Sequence, residues 1–193
     1  MTLASQLTML RIVLTACMIG LLFVPGFLAK ALCVVLFLLA SMTDWLDGYL
    51  ARRFHQVTPF GILLDPIADK ILVLGLLTAL IPFALVPVWM VAVIVIRELL
   101  VTAARLSAAR RHVVIPATKE GKQKAAFQMA TIFLALLALV LREVFDAPWL
   151  PSIEQWLHVA IRGCLWVALL LTVSSGISFF WRNRWVLLRL SRP

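Results

Sequence analysis

Asp44-Trp45-Leu46-Asp47-Gly48-Tyr49-Leu50-Ala51-Arg52, followed after eight residues by Gly61-Ile62-Leu63-Leu64-Asp65-Pro66-Ile67-Ala68-Asp69, is the stretch on which the fold turns. Four aspartates stand here in strongly apolar surroundings. Residues Ala31 to Ala40 before them carry no charge, and neither do Ile71 to Trp89 after them. An Asp at the centre of a bilayer costs roughly 2.5–3.5 kcal/mol on insertion scales, so four of them imply a penalty on the order of 10 kcal/mol unless something compensates. Asp44, Asp47 and Gly48 are spaced i, i+3, i+4 and share one helix face, which Ala51 and Arg52 continue. Gly61, Asp65 and Asp69 recur every four residues and form a second stripe. Two neighbouring antiparallel helices would bring the four carboxylates into one cavity. Oxygen-only ligands favour a hard cation, Mg²⁺ or Mn²⁺. Gly48 and Gly61 remove bulk beside the carboxylates and leave room for a ligand. Pairing of the acids with Arg52, Arg53 and Lys70 is the competing reading; it leaves one acid over and does not explain the glycines.

The chain around this stretch belongs in a membrane. Of its 193 residues, 63% are hydrophobic, and the mean hydropathy is +1.03; soluble domains are about half apolar. One membrane domain, residues 1–193, is the expected organisation. The net charge of +9 points to anionic headgroups and phosphate-bearing substrates rather than nucleic acid. Cys17, Cys33 and Cys164 lie far apart in apolar segments and read as small core residues, not metal ligands. Leu14-Thr15-Ala16-Cys17 resembles a lipoprotein cleavage box only superficially, since Arg11 leaves no room for an apolar leader before it. The three histidines, His55, His112 and His158, form no zinc pattern.

Hydropathy and turn signals predict an all-α protein with six membrane-spanning helices: Leu7 to Val24, Phe27 to Phe54, a third from Thr58-Pro59 to about Ile81, Val88 to Arg110, Lys122 to Leu141, and Trp156 to Trp181. Pro25-Gly26, Pro82 to Pro87, a basic connection from Arg111 to Gly121 and a loop with Asp146, Pro148 and Pro151 separate them. The tail from Arg182 to Pro193 is expected on the membrane surface. Of the 18 lysines and arginines, Lys30, Arg142 and Arg162 fall at the far ends of the spans, and the rest lie at the other ends or within the site. That bias puts both termini and the mouth of the aspartate cluster in the cytoplasm. Trp89, Trp149, Trp156, Trp181 and Trp185 sit near span ends, as interfacial aromatics do.

A second constellation is cationic. Arg97 and Arg105 stand eight apart on the fourth helix, hence on one face, with Arg97 deep behind the uncharged run Leu85 to Ile96. Lys119, Lys122 and Lys124 open the fifth helix. Beside a carboxylate–metal cavity these cations suit a phosphate-bearing substrate. Glu98 is expected to be a poor partner for Arg97, because adjacent helical residues point apart. Gly121-Lys122 lacks the upstream glycine of a phosphate loop. Ser174, Ser175, Gly176 and Ser178 read as a close-packing patch on the sixth helix.

The pattern Asp44-x2-Asp47-Gly48-x2-Ala51-Arg52-x8-Gly61-x3-Asp65-x3-Asp69 fixes eight positions across 26 residues and resembles, at every one, the signature of the CDP-alcohol phosphotransferases. Gln6-Leu7-Thr8-x2-Arg11, Arg97-Glu98-Leu99-Leu100, Arg105 and Gly121-Lys122-x-Lys124-x3-Gln128-Met129 look like the family's phosphatidylglycerophosphate synthase branch. Ser5 stands where branch members often carry Asn, and Ala125 where Thr is common. The resemblance implies a homodimer in the cell (inner) membrane, with two metal ions held by Asp44, Asp47, Asp65 and Asp69. It makes Asp69 the general base, and Gly48, Arg52, Thr58 and Thr8 contacts to the CDP-diacylglycerol donor, with Gly61 beside them. Arg97, Arg105, Lys122 and Lys124 would then hold the phosphate of sn-glycerol 3-phosphate. Inositol phosphate would suit the same arginines, whereas serine or phosphatidylglycerol would need less positive charge. A divalent-cation transporter and a non-catalytic scaffold are the readings from other classes. A transport path calls for polar groups across the full membrane depth, and the third helix beyond Lys70 is apolar to its end.

Overall fold

The computed structural model describes the backbone of residues 3–54, 70–110, 119–144 and 150–190, and the side chains of 9–43, 70–108, 123–143 and 152–184. Within those residues every regular element is helical: α1 (Leu3–Leu22), α2 (Phe27–Phe54), α3 (70–79), a single 3₁₀ turn (Ile81–Phe83), α4 (Val88–Arg110), α5 (Lys119–Val144) and α6 (Leu150–Leu190). The all-α expectation holds. Gln123–Glu143 and Ser152–Arg184 are long and apolar enough to cross a membrane; Met9–Leu22, Phe27–Thr43 and Lys70–Phe83 are shorter apolar stretches.

The boundaries of α2 and α4 match the sequence reading. The first turn lies at Pro25-Gly26, where Gly26 takes φ 106°, a backbone conformation that favours glycine. The second contains Ala84 at φ 56°, which closes the 3₁₀ turn by donating its N–H to the Ile81 carbonyl at 3.0 Å. The third helix's predicted cap, Thr58-Pro59, lies outside the described residues.

Two expectations need correction. The sixth helix does not end at Trp181, because α6 continues through the basic stretch to Leu190. With 41 residues at 1.5 Å each, α6 is about 60 Å long, well beyond the ~30 Å hydrocarbon core. Pro151 does not lie in the preceding loop; it sits in the first turn of α6, where a missing N–H costs nothing. Residues 145–149 of that loop are outside the described range.

Packing follows sequence order only in part. α5 and α6 form the most extensive interface, followed by α1 with α2, α4 with α6, and α2 with α5. Met18, Cys33, Phe37, Leu72, Leu76, Leu80, Ile94, Ile132, Leu136 and Leu165 belong to one buried core. Gly75 lets α3 approach α1: a Cβ there would stand 3.3 Å from Ile19 and 3.7 Å from Thr15. Large apolar side chains also cover the outside, among them Leu28, Met42, Val88, Trp156 and Trp181. An apolar exterior on an apolar core fits a protein solvated by lipid. Of the cysteines, Cys33 is in the core, whereas Cys17 is exposed and Cys164 intermediate. The core assignment fails for Cys17 because an outward apolar face and an inward one have the same hydropathy.

The helix directions sort polar groups to the two ends of the bundle. At one end Lys30 donates to the Leu22 carbonyl and, at 2.9 Å, to that of Val24, satisfying orphan groups at the end of α1. Its ammonium lies 5.3 Å from the Phe83 ring centroid. At the same end Arg142 of α5 meets Glu154 and His158 of α6 at 2.5 and 3.0 Å, and its Nη1 donates to the Phe83 carbonyl at 3.4 Å. α2 runs from Lys30 toward the opposite end, so its last turns, with Asp44, Asp47, Gly48 and Arg52, lie at the end where α5 begins.

Candidate functional site

At that opposite end α4, α5 and α6 converge on a cationic cluster. Arg97 lies just before the middle of α4, and its guanidinium reaches two neighbours. Nη2 donates to Ser175 Oγ of α6 at 2.8 Å, and Nη1 donates to Glu98 Oε1 at 3.0 Å. Lys124 of α5 donates to the same Glu98 oxygen. The three charged side chains are only 10–12% exposed. Gly176 is what allows Arg97 to lie flat on α6: a Cβ there would stand 3.0 Å from Arg97 Nε and 3.1 Å from Cγ.

Arg105, two turns further along α4, lies with its guanidinium carbon 5.4 Å from the centroid of the Phe179 ring. Among the described residues the Nε atoms of Arg97 and Arg105 are buried without a hydrogen-bond partner. Buried donors of this kind are costly when unmet, and charged ones are matched best by a phosphate or carboxylate. Among the described residues Glu98 is the one carboxylate paired with these cations, and Lys70 adds a further positive charge near Lys124. Below the cluster Gln128 Nε2 meets Thr172 Oγ1 at 3.5 Å between α5 and α6.

The structure thus brings together three of the four residues expected to hold the acceptor phosphate, Arg97, Arg105 and Lys124; the side chain of Lys122 lies outside the described residues. The expectation that Glu98 is a poor partner for Arg97 is overturned. The Arg stem is long enough to bend back over its neighbour, so divergence of adjacent Cβ atoms does not keep the charged ends apart. Ser175 and Gly176, read from sequence as packing residues, pack against Arg97 itself. No sequence signal ties them to Arg97, since 78 positions separate Arg97 from Ser175.

Of the aspartate motif, Asp44, Asp47, Gly48 and Arg52 lie on the continuous helix α2, whose register keeps Asp44, Asp47 and Gly48 on one face. Their side chains, and that of Thr8 on α1, are outside the described set. So are Thr58, Gly61, Asp65 and Asp69 altogether. A family model described as CDP-alcohol phosphatidyltransferase matches residues 1–179. The chain belongs to the CDP-alcohol phosphatidyltransferase family. The match takes in the aspartate motif as well as the cationic cluster.

Curated relatives narrow the likeness. The chain is 40% identical over 157 residues to a Bacillus subtilis protein named CDP-diacylglycerol–glycerol-3-phosphate 3-phosphatidyltransferase, covering 81% of this chain and 75% of that one. It is 37% identical over 180 residues to a probable phosphatidylglycerophosphate synthase of Mycobacterium tuberculosis strain H37Rv, 92% of this chain and 79% of the other. A Rickettsia typhi protein with the same name as the Bacillus one is 33% identical over 178 residues, 92% and 94% of the two chains.

Proposed function

We propose that this protein transfers the phosphatidyl group of CDP-diacylglycerol to sn-glycerol 3-phosphate, releasing CMP and forming phosphatidylglycerol phosphate. The observation that carries the choice of a phosphate-bearing acceptor is the buried cluster of Arg97, Arg105 and Lys124. Among the described residues its cations outnumber the single paired carboxylate Glu98, and two guanidinium donors are unmet. An acceptor bearing a phosphate dianion answers both needs, whereas an uncharged or zwitterionic alcohol answers neither. The shared names of the relatives support the same acceptor.

In this reading Asp44, Asp47, Asp65 and Asp69 hold two Mg²⁺ or Mn²⁺ ions. The fit rests on an all-oxygen donor set, two of whose members are one turn apart on the described helix α2. When bound, such ions neutralise the diphosphate and the charge that develops on the departing CMP. The chain's own residues do the rest. Arg52 gives the donor's phosphates a fixed cation with paired N–H donors. Gly48 and Gly61 leave space for the CDP moiety, which Thr8 and Thr58 hydrogen-bond. Arg97, Arg105, Lys122 and Lys124 grip the acceptor's phosphate and so aim its free hydroxyl. Asp69 accepts the hydroxyl proton as the oxygen attacks the lipid-linked phosphorus. The acyl chains leave sideways between helices.

The protein is an inner-membrane homodimer with six spans, both termini and the site facing the cytoplasm. Two long and three shorter apolar helices support five of the spans, α4 is taken as the sixth, and the sequence's charge bias supports the orientation. The test is CMP release by purified protein in detergent with CDP-diacylglycerol and, in turn, glycerol 3-phosphate, inositol phosphate, serine and phosphatidylglycerol. Release fastest with glycerol 3-phosphate is expected. Faster release with any other acceptor overturns the assignment.

A further inference from the structure

Glu98 is the acid in the middle of the cationic cluster, and the reaction as derived above gives it no task. Its Oε1 receives both Arg97 Nη1, at 3.0 Å, and Lys124 Nζ. Arg97 and Glu98 come from α4 and Lys124 from α5, so one oxygen sets the spacing between cationic heads on two helices. Like charges in a site this dry repel strongly, and a bridging carboxylate removes that repulsion. Ser175 holds the second Arg97 nitrogen at 2.8 Å, and Gly176 leaves room for the stem. The guanidinium is therefore pinned at two nitrogens while the third, Nε, has no partner.

We propose that Glu98 is a positioning residue for the acceptor: its carboxylate clamps Arg97 and Lys124 side by side in the geometry that receives the acceptor's phosphate. A rigid pair of cations pre-arranged for the phosphate lowers the ordering cost of binding. This proposal rests on the reading of the cluster as the acceptor site.

The experiment measures KM for glycerol 3-phosphate and for CDP-diacylglycerol in Glu98→Ala, Glu98→Gln and Arg105→Ala. Glu98→Ala is expected to raise KM for glycerol 3-phosphate about tenfold and to leave that for CDP-diacylglycerol within about twofold. Glu98→Gln, which keeps an oxygen for the two donors but loses the charge, is expected to raise that KM about threefold, short of the Glu98→Ala effect. An unchanged or lower KM for glycerol 3-phosphate in Glu98→Ala overturns the proposal; a lower one means that the carboxylate competes with the phosphate. If Glu98→Ala does not accumulate as folded protein, Glu98→Gln decides. A rise of about threefold confined to the acceptor supports the clamp, and equal changes for both substrates, or none, overturn it. Arg105 shares no hydrogen bond or ion pair with Glu98, so its variant tests the acceptor site apart from the clamp. If Arg105→Ala raises KM for glycerol 3-phosphate and the Glu98 variants do not, the clamp alone falls. If Arg105→Ala also leaves it unchanged, the acceptor site itself falls.

Discussion

Gly176 shows how much depends on a single missing methyl group. Arg97 is pinned by Ser175 and Glu98, so it cannot retreat freely from a Cβ placed 3.0 Å from Nε. Gly176→Ala is expected to raise KM for glycerol 3-phosphate about threefold with kcat little changed, read in the CMP-release assay. Asp69 acts at the other end of the reaction. Asp69→Asn should abolish CMP release while CDP-diacylglycerol still binds, as followed by retention of labelled donor. Turnover near the native rate would remove Asp69 from the role of base. The residue pattern Asp-x2-Asp-Gly-x2-Ala-Arg was legible at once, because carboxylates are expensive in apolar surroundings and stand out there. Glu98 was misjudged because helix geometry describes where Cβ atoms point, not where a flexible Arg or Lys head ends.

Helices were legible from hydropathy and turn residues, down to matching ends for α2 and α4. The overrun of α6 was not. Arg182, Asn183 and Arg184 look like the start of a surface tail, but none of them breaks a helix, and no glycine or proline follows until Pro193. At the end of α1, Lys30 is 5% exposed and answers carbonyls that the helix leaves open. Lys30→Met removes the donor and leaves those carbonyls unmet at a cost of about 1–2 kcal/mol. For a chain of this size that corresponds to a fall in Tm of about 4 °C, measurable by thermal unfolding in detergent. Activity at low temperature should persist, since Lys30 lies at the end of the bundle away from the cations.

Across the whole molecule the polar groups divide between two ends. One end is tied by Lys30, Phe83, Arg142, Glu154 and His158. The other holds Arg105, Lys124, Ser175 and the last turns of α2. Such asymmetry suits the proposed pairing of a water-soluble acceptor with a lipid donor. With an even number of spans, reporters fused at residue 1 and residue 193 should both be active on the cytoplasmic side, and one inserted at 145–149 on the opposite side. Reporters on opposite sides at the two termini would refute six spans. Chelation of divalent cations should abolish CMP release, and Mg²⁺ or Mn²⁺ should restore it. Activity that survives chelation would remove the metals from the reaction.

The linear chain alone determined the class of protein, the turns at Pro25-Gly26 and Pro82 to Pro87, and the aspartate motif. Each depends on local composition and on spacings within two turns of helix, which no partner segment can alter. Only the folded arrangement decided that Glu98 bridges Arg97 and Lys124, that Ser175 and Gly176 seat Arg97, and that Cys17 faces outward. These relations join residues 26 and 78 positions apart or depend on which side of an apolar helix meets a neighbour. Side-chain reach and helix packing set them, and neither is written in the periodicity of a single segment.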